Sequence, residues 1–117
     1  MSQPYEMTDD TFEQMARVVA VSGELDMHAA PAFEQRLLAC VSGDEPVILD
    51  LTEVAFMDST AIGAMIATRK KANMTRGRFV LVCKAGDTRR MLHYTGLEAA
   101  FDIVDTREEA LALLVSP

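Results

Sequence analysis

The strongest constraint on the fold is a regular succession of two sequence patterns along the chain. Short apolar runs, such as residues 47–49 and 79–83, alternate with longer stretches in which apolar residues recur at helical spacing. Apolar runs rich in β-branched residues suit strands that are buried on both faces, as in a parallel sheet. The succession therefore predicts an α/β domain with a mostly parallel sheet of four to five strands and about four helices.

Five segments are predicted to form strands. In chain order they are residues 5–12, 16–22, 47–49, 79–83 and 102–105, the first and the last of them at the edges of the sheet. Gly23 is expected to end the second strand. A further apolar segment, residues 54–57, precedes the polar residues 58–60.

The first two helices are predicted from their ends. Pro31 suits the first turn of a helix that breaks at residues 42–44. The central helix is expected to run from the polar residues 58–60 to the basic residues 69–71, where positive charge favours a helix C-terminus. A turn at residues 73–77 should follow it.

Two more helices are predicted in the last third of the chain. A short one begins at Asp87 or Thr88, and Gly96 behind it is suited to a left-handed backbone conformation. Thr106 and Glu109 have the spacing of a capping box, which marks the start of the last helix.

Length and composition predict one domain over residues 1–117. Half of the residues are hydrophobic, which is enough to form a core. No apolar run is long enough to span a bilayer, so membrane insertion is not expected. The first ten residues lack the basic and apolar regions of a secretory signal, which predicts a cytoplasmic location.

The charge pattern argues against direct binding to nucleic acid. The net charge is −7, whereas such proteins normally present a basic surface. Eight of the eleven basic residues fall between positions 69 and 90, but they close a helix or flank a strand and have no interleaved aromatic residues.

Enzymatic and cofactor-binding motifs are missing from the sequence. Ser59 with His28 or His93 could form a nucleophile and base, but no Gly-x-Ser-x-Gly elbow is present. No glycine-rich phosphate loop occurs, and Cys40 and Cys83 lack metal-ligand spacing. We therefore expect no enzymatic activity, no cofactor and no metal, with the two cysteines in the core.

Polar side chains follow two of the predicted strands and form the candidate site. Asp26 lies after one strand, and Asp58 and Ser59 lie after the next. Loops at the carboxyl ends of neighbouring parallel strands gather at one sheet edge, so these side chains are expected to share a surface. Asp26 is equally well explained as a turn or cap residue, and any of residues 58–60 could simply cap the central helix.

Methionines offer a further candidate surface. Met27, Met57, Met65, Met74 and Met91 are best explained as fillers of core gaps. If any of them forms an apolar surface near Ser59 instead, Met57 and Met65 are the first candidates.

Four segments in this order resemble the STAS domain of bacterial anti-sigma factor antagonists: VVAVSGELDMHAAPAF, VILDLTEVAFMDSTAIGAM, RFVLVCKAGDTRRMLHYTGL and FDIVDTREEALALL. The resemblance covers about residues 12–115. It implies a domain that binds an anti-sigma factor with serine kinase activity, which phosphorylates Ser59 and is then released. A separate serine phosphatase would restore the complex.

By the same matching, the partner-binding residues would be Asp26, Asp58, Ser59, Thr60, Ile62 and Gly63. The chain departs from the commonest family pattern at residues 60–62, where it has Thr-Ala-Ile instead of Ser or Thr, then Gly, then Leu. Thr60 is a rival acceptor for the phosphate. The alternative function is a non-switching STAS interaction subunit of a transporter or larger signalling complex.

Phosphorylation at this position is expected to change an interface without unfolding the domain. A phosphate adds about −1.5 to −2 charges. At a helix N-terminus it should meet unsatisfied backbone N–H groups and a favourable dipole. The cost should then fall on a partner packed beside Asp58 and Asp26.

Overall fold

The fold was obtained as a computed structural model, which describes residues 5–12, 15–43, 45–74 and 78–115. Five strands and four α-helices lie within these ranges. The strands are β1 Glu6–Phe12, β2 Ala16–Leu25, β3 Val47–Met57, β4 Phe79–Val82 and β5 Asp102–Val104. The helices are α1 Ala30–Cys40, α2 Ser59–Met74, α3 Asp87–Tyr94 and α4 Arg107–Val115, with a 3₁₀ turn at Leu97–Ala99.

The strands form one sheet in the sequential order β1-β2-β3-β4-β5. Strand β1 pairs antiparallel with β2, and the other neighbouring pairs are all parallel. Each parallel pair needs a crossover connection, which the helices provide. The predicted fold class, a mostly parallel α/β sheet with four helices, is confirmed.

The core has two parts, one on each face of the sheet. Helices α1 and α2 pack together on one face, where Phe33 and Met65 are fully buried. Helix α4 covers the other face through Ala110. In β3, Leu49 belongs to the first part of the core and Ile48 to the second. Both faces of this strand are thus buried, which explains its unbroken apolar run.

Two strand predictions were wrong at the carboxyl ends. Strand β2 does not stop at Gly23 but continues to Leu25. Gly23 has a φ of 90° and precedes a register shift, so the glycine lets the chain pass through an irregularity and stay paired. Residues 54–57 are likewise part of β3, because the pairing with β2 continues as far as Met57.

The helix ends agree with most of the sequence signals. Pro31 lies in the first turn of α1, and Gly96 has the left-handed φ of 76° that was predicted. At α4, the Glu109 N–H donates to the Thr106 hydroxyl oxygen at 3.0 Å. Helix α2 is longer than predicted, since the expected turn at 73–77 begins with two helical residues; residues 75–77 lie outside the described residues.

Both cysteines are core residues, as predicted. Cys40 and Cys83 are buried and carry free thiols. Burial is the main cause that raises the pKa of each thiol, which keeps the thiol protonated and unreactive. No helix in the described part of the chain has the length and hydropathy needed to cross a membrane.

Candidate functional site

The candidate site lies where β2 and β3 end side by side. Leu25 and Met57, the last residues of these strands, are paired. The Asp58 N–H donates to the Leu25 carbonyl oxygen at 3.1 Å. The loop that contains Asp26 and the turn that leads into α2 therefore meet at the carboxyl edge of the sheet, as the sequence predicted.

Asp58 is the residue that caps α2. Its Oδ1 accepts hydrogen bonds from the backbone N–H groups of Thr60 (2.9 Å) and Ala61 (3.3 Å) and from the Thr60 hydroxyl. The Thr60 hydroxyl is the main cause that holds the pKa of Asp58 below its ordinary value, and the backbone N–H groups add to it. The site therefore contains a carboxylate that is ionised at neutral pH.

Asp26 organises the loop after β2. Its Oδ1 accepts hydrogen bonds from the N–H groups of His28 (2.9 Å) and Ala29 (3.1 Å), which is the geometry of an Asx turn. The backbone N–H of the next residue, Met27, contributes least to lowering the pKa of Asp58. Asp26 thus has a turn role, and the hydrogen bond from the Asp58 N–H to the Leu25 carbonyl oxygen joins the two segments.

Ser59 is the first residue of α2 and is exposed. Among the described residues, none makes a hydrogen bond with its hydroxyl group. The adjacent hydroxyl of Thr60 is also exposed, but it is donated to Asp58. Of these two neighbouring alcohols, only Ser59 therefore has a hydroxyl without a partner in the described part of the chain.

The three residues after Thr60 differ in how far their side chains are exposed. Ala61 is fully buried, so its methyl group faces the core and does not narrow the outer surface. Ile62 is only 8 % exposed and belongs to the core, which leaves little of its side chain for a partner. Gly63 is exposed, and a Cβ added there would have no atom within 4 Å. Gly63 and Ser59 are one helical turn apart and so share a face.

The exposed apolar residues near the site are not the predicted ones. Met57 and Met65 are buried and fill the core, whereas the prediction of a core position was wrong for the exposed Met27 and Met74. Met27 is 63 % exposed and Phe56 is 49 % exposed. The consecutive residues Gly23 and Glu24 of β2 pair with Val54 and Phe56 of β3, so β3 has a bulge at Ala55. This bulge turns the Phe56 side chain outward. A continuous apolar run does not show which of its members a bulge will expose.

The backbone N–H groups of the first helical turn are mostly occupied. Asp58 already takes the N–H groups of Thr60 and Ala61, and the Ile62 N–H donates to the Asp58 carbonyl oxygen at 3.3 Å. Within the described ranges, only the Ser59 N–H is left without an acceptor in this turn. The expected set of open donors for a phosphate is therefore reduced to one.

The described residues contain no group of three or more His, Cys, Asp or Glu side chains that could hold a metal ion. The site consists instead of an exposed alcohol, an ionised carboxylate and neighbouring apolar side chains. These features are typical of a surface that a protein partner recognises.

Comparison with known proteins identifies the family of this chain. The STAS domain family matches residues 7–110. The anti-sigma-F factor antagonist RsfB of Mycobacterium tuberculosis is 31 % identical over 96 residues, which are 80 % of this chain and 77 % of that protein. The chain therefore belongs to the STAS-domain family of anti-sigma factor antagonists.

Two solved structures support the assignment of the fold. The crystal structure of an anti-sigma factor antagonist from Mycobacterium paratuberculosis has a TM-score of 0.88 and 33 % identity, and the match covers 99 % of this chain and all of that one. The Bacillus cell fate determinant SpoIIAA in its phosphorylated form has a TM-score of 0.67 and 20 % identity, with 93 % and 99 % covered. The second similarity concerns the fold alone.

Proposed function

We propose that this protein binds an anti-sigma factor with serine kinase activity and so frees a sigma factor, until phosphorylation of Ser59 ends the complex. A serine phosphatase would then return the protein to its binding form. The observation that carries the proposal is the hydroxyl of Ser59, exposed at the start of α2 beside an ionised Asp58. The names of its relatives, anti-sigma-F and anti-sigma-B factor antagonists, support the same partner class.

The hydrogen bonds favour Ser59 over Thr60 as the phosphate acceptor. A kinase must align the acceptor oxygen with the phosphoryl group, so this oxygen has to be accessible and free to reorient. The Thr60 hydroxyl would first have to leave Asp58, which would also weaken the cap of α2. The Ser59 hydroxyl has no such bond to break.

The charges around Ser59 explain how phosphorylation could end the complex. Apart from Arg36, neither lysine nor arginine occurs between Arg17 and Arg69 in the sequence, so neither loop carries a cation that neutralises a new phosphate. Asp58 adds a negative charge next to it. A kinase holds nucleotide phosphates close to its acceptor residue. The phosphate on Ser59 would therefore face like charges on both sides of a partly desolvated interface.

The proposal is tested by phosphosite mapping. The wild-type protein and the variants Ser59→Ala and Thr60→Ser are incubated with ATP and each purified anti-sigma factor kinase of the same genome. We expect one phosphate per chain on Ser59 in the wild type and in Thr60→Ser, and none in Ser59→Ala. Transfer to Thr60 in the wild type would contradict the assignment. Binding without transfer would favour a non-switching STAS interaction subunit.

Gly63 gives a prediction in which stability and binding change in opposite directions. Gly63→Ala should stabilise the domain by about 0.5–1 kcal/mol, because alanine favours the helix and the new methyl group has open space. If a partner approaches this face closely, the same methyl group should weaken binding by about tenfold.

Urea unfolding and kinase affinity measure the two effects of Gly63→Ala. The matched control is Gly43→Ala, which also adds a methyl group into open space but lies outside the site. It should leave the affinity unchanged. Unaltered affinity in Gly63→Ala would remove Gly63 from the proposed contact surface.

A further inference from the structure

We propose that a second contact beside Ser59 anchors the partner through an apolar side chain, independently of the phosphorylation step. This contact is the apolar patch, which we define as Met27, Phe56 and the groove next to Phe56. The identification of the occupant as the anti-sigma factor kinase rests on the proposed function.

The patch is formed by large apolar side chains that the fold leaves exposed. Met27 is 63 % exposed and Phe56 is 49 % exposed, although both belong to segments that are tied into the structure. Phe56 lies in β3, opposite Glu24 of β2, and Met27 lies inside the Asx turn that the Asp26 carboxylate makes with the N–H groups of His28 and Ala29. Exposed apolar side chains on a rigid framework can bind a partner with little loss of conformational entropy.

A groove lies next to Phe56. It has a volume of about 200 Å³ and lies between the end of β3 and the start of α3. Its lining residues are Ala55, Phe56, Met57, Asp87, Thr88 and Met91. The groove is small and partly apolar, which suits one inserted side chain and not a helix or a cofactor.

Position and charge indicate the occupant. The patch is continuous with the candidate site, because Phe56 lies two positions before Asp58 in the chain and Met27 directly follows Asp26. The two loops that adjoin the patch carry the carboxylates Asp26 and Asp58 and no lysine or arginine, and on the α3 side of the groove Arg90 is already paired with Asp87. The complementary segment is an apolar side chain next to an arginine or lysine, supplied by the protein that also reaches Ser59.

The two contacts should act differently in the reaction. A side chain held in the groove contributes equally before and during phosphoryl transfer, so it affects complex formation and not the chemical step. Loss of the anchor should therefore raise the Kd of the complex and the KM for phosphorylation. It should leave kcat unchanged.

The test uses Phe56→Ala and Met27→Ala with each purified anti-sigma factor kinase of the same genome. We expect Phe56→Ala to raise Kd and KM by about tenfold or more, with kcat within about twofold of the wild-type value. Met27→Ala should have a smaller effect of the same kind. Tyr94→Ala and Met74→Ala are matched controls, since Tyr94 and Met74 are even more exposed but lie outside the patch; neither should change Kd or KM.

Methyl NMR of ¹³C-labelled methionine locates the contact directly. On addition of the kinase, the Met27 and Met91 signals should shift, whereas those of Met15 and Met74, two other methionines of the described chain, should not. A normal Kd and KM in Phe56→Ala would overturn the patch while leaving the proposed function intact. Wild-type protein that binds none of the kinases would contradict both. Concentration-dependent shifts of Met27 without kinase would assign the patch to a second copy of this chain and overturn the proposed occupant.

Discussion

Phosphorylation of Ser59 is expected to weaken the complex with the kinase by more than a hundredfold while the domain stays folded. Like charges brought together in a partly desolvated interface can cost several kcal/mol, and about 3 kcal/mol already corresponds to that factor. The structure offers the phosphate little compensation, because Asp58 occupies the N–H groups of Thr60 and Ala61. The new dianion is therefore left to the solvent and to the partner.

The domain itself should tolerate the phosphate because Ser59 is exposed at the positive end of the α2 dipole. Circular dichroism and thermal unfolding of the phosphorylated protein should closely resemble those of the unmodified protein. Affinity is measured by calorimetry with the unmodified, phosphorylated and Ser59→Ala proteins. Ser59→Ala should bind within a few-fold of the wild type, since it adds no charge. Loss of the native circular dichroism on phosphorylation, or unchanged affinity, would contradict an interface switch.

The second large effect is expected at an ion pair that joins α4 to the sheet. Asp50 lies in β3 with its side chain only 11 % exposed, and its Oδ2 accepts a hydrogen bond from the Arg107 Nε at 2.7 Å. Its Oδ1 accepts from the N–H of Thr52 at 2.9 Å and from the Thr52 hydroxyl. Burial alone would raise the pKa of Asp50, but the hydrogen bonds from Thr52 and Arg107 together lower it.

Arg107→Met should destabilise the protein by about 2–4 kcal/mol at neutral pH, because it leaves a buried carboxylate without its cation. Asp50→Asn should cost less, since the Arg107 side chain is 40 % exposed and can be solvated. Urea unfolding of both single variants and of the double variant measures the two costs and their coupling. An equal loss in the free energy of unfolding for the two single variants would contradict this asymmetry.

The cost of Arg107→Met should also depend on pH, with a defined sign. The pKa of Asp50 is lower in the folded protein than its ordinary value, so the carboxylate stabilises the fold above the unfolded pKa of about 3.9. This contribution is lost as the pH falls through the folded pKa. The stability difference between the wild type and Arg107→Met should therefore be largest at neutral pH and decrease in acid. A difference that is the same at pH 7 and in acid would show that the ion pair is not its cause.

The secondary structure followed largely from local sequence patterns. The apolar run at 47–49 indicated a strand buried on both faces, and Pro31 and Thr106 marked helix starts, because these signals depend on neighbours in the chain. The meeting of Asp26 and Asp58 was also predictable, since parallel strands bring their carboxyl ends to one edge. The local patterns likewise placed Ser59 at the start of the central helix.

Other features were decided by contacts between distant segments. The continuation of β2 through Gly23 and the outward turn of Phe56 depend on the register between β2 and β3, which no local pattern encodes. Asp50 and Arg107 are separated by 57 positions, and nothing near either residue indicates the other.

The sequence by itself determined the α/β class and the place of the alcohol at the head of α2, because hydrophobic periodicity and capping chemistry are local. Only the tertiary structure decided which of the two hydroxyl groups, that of Ser59 or that of Thr60, is free of a hydrogen bond to Asp58. Thr60 is bound by Asp58 and Ser59 is not. That choice depends on the geometry of the turn, which is held in place by the pairing of Leu25 with Met57 and by the hydrogen bond from the Asp58 N–H to the Leu25 carbonyl oxygen.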